Sequence, residues 1–300
     1  YSNANLFNIT FGNYLLNLEY DNMYSNRPIT AVPVLNYTLS SSSGSLPASY
    51  DSRDYGYITP VKNQASGGNC WAFGGLATLE ACLKKATGIT FDFSEENVKN
   101  LMAEFSLFGW SGANSGGNDQ MVWAYLASWF GPVYDEYDPY DEYSSLSVLY
   151  NPAMHIQNIH ALPDISNEYD PNINLVKRAI MDYGAVTMTT AWATGENHCM
   201  SLVGWDDNFN GYDYFGNYAN KAWIVKNSYG PNWEYNGYLY ISFNKEIYDL
   251  YTFIFTPREY EYSGIYQYDY GGLDIYLSGL DIYLPFSNYY YKNIFIINNV

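Results

Sequence analysis

The sequence predicts an α+β protein of two lobes, and two patterns along the chain support this fold class. Helical periodicity dominates the first half of the chain from residue 70 onward, whereas apolar runs typical of strands dominate the second half. The chain has 300 residues, of which 48% are hydrophobic, so it is long enough to build a core in each lobe.

Composition divides the chain into three parts. Residues 1–45 are polar, rich in Tyr and Asn, and end in a Ser/Gly run that is typical of a flexible linker. Residues 46–255 carry the helix and strand patterns, with lobes over about 46–150 and 151–255. Residues 256–300 are Tyr-rich and alternate in polarity, which predicts a β extension. We expect the first segment to pack along the lobes and to cover part of the cleft between them.

The segment after the Gly pair at residues 67–68 predicts the first helix. It reads NCWAFGGLATLEACLKKATG, and the terminal Gly88 is a typical helix stop. Its apolar residues recur at helical spacing and form one stripe: Ala72, Leu76, Leu79 and Leu83. Glu80 and the two lysines that follow lie off this stripe, so we expect them on the exposed side of the helix.

Three further helices and four strands are predicted downstream. The helices are SEENVKNLMAEFS, NDQMVWAYLASWFGP and NINLVKRAIMDYG, with Ser94 as the N-cap of the first of these. The strands are AVTMTTAWA, HCMSLVGWD, KAWIVKNSYG and GYLYISF. Because the helices come first and the strands later, we expect a helical lobe followed by a β lobe.

Charge and cysteine content exclude several classes of partner. The formal net charge is −18, and like charge repels the chain from nucleic acid and from anionic lipid. No uninterrupted apolar run reaches the roughly 18 residues of a membrane span, so we expect no membrane insertion. Three cysteines are too few for a disulfide framework in a chain of this length, and they lack zinc-site spacing. Cys82 and Cys199 are interpreted as buried core thiols.

One acidic loop begins like a calcium-binding motif. It starts at Asp206 and matches the first positions of that motif, but Asn217 stands where the bidentate Glu belongs. We interpret the loop as a polar insertion between strands, and we expect no metal and no cofactor.

Cys70, at the start of the first predicted helix, is a candidate nucleophile. The unpaired N–H groups in the first turn of a helix favour a thiolate over a thiol. A disulfide half and an inert core thiol are the alternatives. A nucleophile needs a base, and the chain has three histidines. His155 and His160 lie in a polar stretch and are interpreted as solvated or edge-strand residues, whereas His198 begins an apolar strand.

Two amide side chains complete a catalytic set around Cys70. Asn227 ends another apolar strand, and its amide oxygen can accept a hydrogen bond from the His198 ring and select one tautomer. Gln64 lies six residues before Cys70 and can donate a side-chain N–H. With the backbone N–H of Cys70 it would form an oxyanion hole.

Three blocks of the sequence resemble the papain-like cysteine peptidases over about residues 46–244. The blocks PVKNQASGGNCWAFGG, NHCMSLVGWDD and WIVKNSYGPNWEYNGYLYIS occur in the order of that family. The resemblance implies a papain-like fold, with a helical lobe that carries the nucleophile and a β-barrel-like second lobe. It also implies that a Cys70 thiolate, paired with the His198 imidazolium, attacks a peptide carbonyl and that water hydrolyses the resulting acyl-thioester. In this reading Asn227 orients His198, and Gln64 donates to the oxyanion.

The resemblance implies supporting roles for further residues. Three of them are implied to lie around the base: Trp233, Tyr229 and Asn197. Two glycines are implied to pair with the substrate backbone: Gly116 and Gly117. Trp233 is implied to shield the hydrogen bond between Asn227 and His198 from water. Tyr229 stands where the family usually has tryptophan, which implies a weaker shield.

Two positions depart from the family pattern together. Most relatives carry a cysteine at the position of Gly67 and its disulfide partner at the position of Asn114. We therefore expect packing, without this bridge, to hold the first lobe.

These observations predict a secreted or cell-surface cysteine endopeptidase that acts on proteins or peptides. The tail resembles the start of a lectin-like domain that some prokaryotic surface proteins join to such a peptidase, which implies contact with a surface glycan or cell wall. Two other functions remain open on the same scaffold. One is an adhesion or binding module with weak or no turnover, and the other is acyl transfer by the same thiolate.

Overall fold

The computed structural model describes residues 45–103, 112–127, 130–156, 159–192 and 195–255, together with the backbone of two short strands near the C-terminus. Within these residues, helices occupy the first part and strands the second, which confirms the α+β prediction. The predicted N-terminal segment and most of the predicted β extension lie outside the described residues.

Four α-helices occur in the described residues, and each falls within a segment that the sequence predicted. They are α1 (Cys70–Thr87), α2 (Glu95–Ala103), α3 (Asp119–Ala127) and α4 (Ile173–Tyr183), with a 3₁₀ turn at Asp135–Tyr137. Helix α1 ends at Gly88, whose φ of 73° lets its N–H bond the Lys84 carbonyl. The Ser94 hydroxyl caps α2 by accepting the Asn97 N–H at 2.9 Å.

The described strands form one large antiparallel sheet and two small ones. In chain order they are β1 (Ser49–Asp51), β2 (Ile159–Ala161), β3 (Val186–Ala191), β4 (Asn197–Asp206), β5 (Gly211–Tyr212), β6 (Tyr218–Ala219), β7 (Ala222–Lys226), β8 (Tyr238–Ser242), β9 (Tyr248–Phe253), β10 (Tyr262–Gln267) and β11 (Ile294–Asn298). The large sheet runs β2–β9–β3–β4–β7–β8, with β1 beside the far end of β4. Strands β5 and β6 pair with each other, as do β10 and β11.

Helix α1 packs closely against strand β4. The predicted apolar stripe is fully buried at all four positions, Ala72, Leu76, Leu79 and Leu83. Gly74 permits the close approach, because a Cβ there would lie 2.8 Å from the Cys199 sulfur and 3.1 Å from the Met200 backbone nitrogen. This contact holds the N-terminus of α1, with Cys70, near the start of β4, with His198.

Gly74→Ala should therefore lower stability by about 1–3 kcal/mol, because the added methyl group has to push α1 away from β4. Urea unfolding followed by tryptophan fluorescence measures the change. Gly211→Ala is the control, since the nearest atom to its Cβ would lie at 3.5 Å, an ordinary contact. Equal stability losses in the two variants would contradict the close-packing explanation.

The structure places the other cysteines and two histidines as follows. Cys82 and Cys199 are free thiols with 1% and 5% exposure, which confirms the core-thiol interpretation. His160 lies on the exposed edge strand β2, as predicted. His155 is 3% exposed, so the prediction of a solvated residue is wrong there.

Among the described helices, none combines the length and apolar character that crossing a bilayer requires.

Glu80 is buried, contrary to the prediction that it lies on the exposed side of α1. It accepts a hydrogen bond from the Thr59 hydroxyl at 2.6 Å and one from the Phe93 backbone N–H at 2.9 Å. The Lys62 ammonium lies 3.1 Å from Oε1, the same oxygen that accepts the Phe93 N–H. The side of α1 opposite the apolar stripe is covered by the chain, and a carboxylate remains there because it is paired and hydrogen-bonded.

Lys62 is shared by three carboxylates. Besides Glu80, its ammonium lies 3.1 Å from Glu95 and 2.7 Å from Asp92. Lys226, at the end of β7, donates to the Thr59 hydroxyl at 3.1 Å. Burial and the neighbouring Glu80 raise the pKa of Glu95 to about 8, although Lys62 opposes this shift.

Candidate active site

The nucleophile candidate Cys70 is the first residue of α1. It is partly exposed, while the next residues of the helix are buried. Burial raises the pKa of the Cys70 thiol, and nearby backbone N–H groups, foremost that of Cys199, pull it down less strongly. Burial thus opposes ionisation of the thiol, and a base that takes its proton favours the thiolate.

His198 and Asn227 form a buried hydrogen bond, and its chemistry selects one tautomer of the imidazole. The His198 Nε2 lies 2.8 Å from the Asn227 Oδ1. The backbone N–H of Ser228 donates to the same Oδ1 at 2.8 Å, and a backbone N–H can only donate, so this atom is an oxygen. His198 Nε2 must then carry the hydrogen, which leaves the Nδ1 lone pair free to accept a proton.

Burial also controls the charge of His198. Removal from water lowers the pKa of its imidazole to about 4, while the hydrogen bond to Asn227 acts in the opposite direction. Burial thus penalises the imidazolium as it penalises the Cys70 thiolate. Each charge has to be stabilised by the other, so the ion pair implied by the family resemblance requires proton transfer between the two groups.

Aromatic rings pack against the imidazole from two adjacent sides. The Tyr229 ring stacks on His198 with the centroids 4.9 Å apart, and the Trp192 ring lies 4.6 Å away at a tilt of 60°. Trp233 packs edge-on against Tyr229 at 5.3 Å. Tyr214 contacts both Trp192 and Trp233, so the five rings form a closed circuit. The smaller Tyr229 ring is therefore supplemented by Trp192.

Trp192 is a site residue that the sequence analysis did not single out. It directly follows β3, which pairs with β4 so that Ala191 lies opposite Asn197 and Thr190 opposite His198. The Trp192 N–H donates to the Glu196 carbonyl at 2.6 Å and closes the connection between the strands. The pairing of β3 with β4 places the Trp192 ring beside His198. In the sequence, the only indication of this contact was that the two predicted strands follow each other along the chain.

Gln64 is held on three sides. Its side-chain oxygen accepts the Ser228 hydroxyl, its Nε2 donates to the Gly67 carbonyl at 2.8 Å, and its backbone N–H donates to the Ser228 carbonyl at 2.8 Å. An amide nitrogen has two hydrogens, so one Nε2–H remains for a ligand. Gln64 is 5% exposed, which limits its motion.

Both predicted substrate-binding glycines lie beside the loop that precedes Cys70. A Cβ on Gly68 would lie 2.9 Å from the Gly116 nitrogen, so these two backbones touch. Gly116 has a φ of 106°, and a Cβ on Gly117 would lie 2.4 Å from the Trp71 indole nitrogen. No other residue type fits these two positions without rearrangement. Asn197 is exposed at the start of β4.

Hydrogen bonds surround Gly67 and Asn114, the two positions at which the resemblance implies a disulfide in most relatives, so they supplement the expected packing in this part of the chain. Asn69 Nδ2 donates to Asn114 Oδ1 at 2.8 Å and to the Tyr140 hydroxyl at 3.0 Å. The Gly68 N–H donates to the Asn114 carbonyl at 3.0 Å.

Among the described residues, no group of three or more His, Cys, Asp or Glu side chains could hold a metal ion.

Comparisons with known proteins agree with this arrangement. A family model described as papain family cysteine protease matches residues 46–257. Fruit bromelain from Ananas comosus is 28% identical over 211 residues, which cover 65% of this chain and 54% of that protein. Cathepsin K from Mus musculus is 29% identical over 224 residues, which cover 67% of this chain and 61% of that protein. The chain thus spans little more than half the length of these relatives.

Solved structures of a clostridial cysteine protease, Cwp84, are also similar. The structure obtained after propeptide cleavage has a TM-score of 0.61 and 29% identity, covering 75% of this chain and 62% of that one. A second structure holds the cysteine protease and lectin-like domains of Cwp84, described as a surface layer associated protein of Clostridium difficile. It has a TM-score of 0.58 and 26% identity, covering 88% of this chain and 63% of that one.

Proposed function

Because the chain belongs to the papain family of cysteine proteases, we propose that it is an endopeptidase that hydrolyses peptide bonds through a covalent intermediate on Cys70. One observation carries this proposal. The Ser228 N–H fixes the Asn227 amide so that His198 presents a free Nδ1. A general base needs an imidazole that is held in one tautomer with a nitrogen lone pair free to accept a proton. A histidine with a purely structural role would not need this arrangement.

In the proposed mechanism, His198 Nδ1 takes the proton of the Cys70 thiol as the sulfur attacks the substrate carbonyl carbon. The carbonyl π electrons move to oxygen, where the Cys70 backbone N–H and the free Nε2–H of Gln64 hold the negative charge. Collapse of this intermediate breaks the C–N bond, and His198 gives its proton to the leaving amine. Water then attacks the acyl-thioester, losing a proton to His198, and the thiol leaves with that proton.

We expect the acid limb of the kcat/KM profile to have its midpoint near pH 4, the pKa of the buried His198 imidazole. Below that pH the ring already carries a proton and cannot take one from Cys70, so activity falls as pH falls. Hydrolysis of a fluorogenic peptide from about pH 3 to about pH 9 gives the profile.

Trp192→Ala provides the matched comparison for this pH dependence. Loss of the indole admits water to the side of His198 that Trp192 packs against, which weakens the desolvation that lowers the pKa of its imidazole. The acid limb should therefore move upward, toward the ordinary imidazole value of 6.5. A wild-type midpoint already near 6.5, unchanged in the variant, would show that the rings do not exclude water from the working site.

We further propose that the enzyme works outside the cell or at its surface and that residues 256–300 begin a glycan-binding or wall-binding domain. Support comes from Cwp84, whose lectin-like domain accompanies its protease domain. Retention of the chain on isolated cell walls, and its loss when residues 256–300 are deleted, tests this. The adhesion alternative without turnover predicts wall retention but no labelling of Cys70 by an epoxysuccinyl peptide.

A further inference from the structure

The loop that carries the oxyanion donors is positioned by residues outside the catalytic set. Tyr140 lies in the segment that follows the 3₁₀ turn, and its hydroxyl donates to the Gln64 backbone carbonyl at 2.8 Å. The same oxygen accepts a hydrogen bond from Asn69 Nδ2 at 3.0 Å. One hydroxyl group therefore joins Gln64 to Asn69, the residue directly before Cys70.

Asn69 uses its side chain for this contact and not for capping the helix. Asparagine at an N-cap normally accepts an N–H from the first turn, but Asn69 makes no such bond to α1. Its Nδ2 donates instead to Tyr140 and to Asn114. The first-turn N–H groups of α1 are thus left without a side-chain cap, and the Cys70 N–H among them is the one required for an oxyanion.

Asn69, Asn114 and Tyr140, which we call the loop clamp, occupy the volume next to Gly67. A Cβ on Gly67 would lie 2.6 Å from Asn69 Nδ2, 3.0 Å from the Tyr140 oxygen and 3.1 Å from Asn114 Oδ1. Any side chain at this position, including a cysteine, would therefore displace the clamp. The Gly67 and Asn114 departures are explained together, because the hydrogen bonds need the space that a bridge would fill.

We propose that Tyr140 is a positioning residue for peptide-bond hydrolysis. Through the loop clamp it holds the Gln64 carbonyl and the residue before Cys70 together, so that the Gln64 Nε2–H and the Cys70 N–H stay at a fixed separation. This inference rests on the proposed endopeptidase function. Both donors stabilise the negative charge on the substrate carbonyl oxygen, which develops only when the sulfur attacks. Loss of the Tyr140 hydroxyl should therefore lower kcat and leave KM nearly unchanged.

Tyr140→Phe tests the proposal, since it removes the hydroxyl but keeps the ring that packs edge-on against Phe73 at 4.8 Å. We expect kcat on a fluorogenic peptide to fall about 10-fold, with KM within about 2-fold, because small misplacement of a catalytic group lowers the rate steeply. Tyr125→Phe is the control. It also removes a buried hydroxyl, which donates to Asn97 at 2.7 Å, but it lies in α3 and should leave kcat unchanged.

A double-mutant cycle shows whether Tyr140 acts through Gln64. In the Gln64→Ala background, Tyr140→Phe should reduce kcat by less than about 2-fold, because the donor that it positions is already absent. A Tyr140→Phe variant with wild-type kcat overturns the proposal. So does an effect of the same size in the presence and absence of the Gln64 side chain.

Amide hydrogen exchange at Gly68 gives a reading that does not need activity. The Gly68 N–H donates to the Asn114 carbonyl, so loss of the clamp should accelerate its exchange at least about 10-fold in Tyr140→Phe but not in Tyr125→Phe. Unchanged exchange overturns the proposal. If the wild-type chain cleaves no peptide, the endopeptidase function fails, and the Gly68 exchange still decides whether Tyr140 holds this loop.

Discussion

Cys70→Ser is expected to abolish peptide hydrolysis, with kcat/KM reduced by at least about 10⁴-fold, as loss of a covalent nucleophile does in related mechanisms. A serine hydroxyl is far less acidic than a thiol, and burial at this site already opposes ionisation of the sulfur. The folded structure should persist, because Cys70 is partly exposed and forms no disulfide. Hydrolysis of a fluorogenic peptide, together with mass spectrometry after reaction with an epoxysuccinyl peptide, measures the loss.

Cys82→Ser is the matched control for this prediction. The Cys82 sulfur lies 3.4 Å from the Thr252 hydroxyl and 3.7 Å from the Ala185 carbonyl, so a serine there keeps hydrogen-bond partners. This variant should retain activity and still be labelled once, at Cys70. Residual cleavage by Cys70→Ser comparable to wild type would remove Cys70 from the mechanism, and label on Cys82 would show that the wrong thiol was assigned.

Lys62→Met is expected to destabilise the protein by about 3–5 kcal/mol near neutral pH, the usual cost of removing one partner from a buried ion pair. Glu80 and Glu95 are each about 1% exposed, and the variant leaves both without the ammonium that lies 3.1 Å from each. Lys62 opposes the rise in the pKa of Glu95, so without it the folded-state pKa of Glu95 lies further above that of the unfolded chain. The loss should therefore shrink as pH falls, since protonation relieves the buried charge.

Urea unfolding at several pH values measures both effects. Lys221→Met is the control, because Lys221 is 41% exposed and its ammonium lies 3.8 Å from Glu168. A surface pair of this kind is worth at most about 1 kcal/mol, so that variant should stay near wild type at every pH. A Lys62→Met protein as stable as wild type at neutral pH would contradict the expected cost of leaving these buried acids without the ammonium.

Local sequence patterns predicted the elements that position the site. The apolar stripe of α1 reports which face of that helix meets the sheet, and Gly88 and Ser94 act at helix ends through hydrogen bonds within a few residues. Such signals depend only on neighbours in the chain, which explains why all four described helices were found. The family match over residues 46–257 likewise confirms the papain-like fold that the three motif blocks implied.

The burial of Glu80 is a feature that local sequence patterns did not predict. Periodicity separates apolar from polar positions, but it does not reveal that Thr59, Lys62 and Phe93 cover the polar side of α1. A buried carboxylate and an exposed one look the same in sequence when their partners come from other segments.

The sequence by itself determined the chemical groups of this protein: a thiol at a helix start, one imidazole on an apolar strand, and two amides in matching contexts. Only the tertiary structure decided what surrounds them. Trp192 reaches His198 through the pairing of β3 with β4, and Tyr140 reaches Asn69 across 71 residues of chain. These contacts depend on how distant segments pack in three dimensions, because hydrogen bonds and ring stacking act over a few ångströms of space, whatever the separation along the chain.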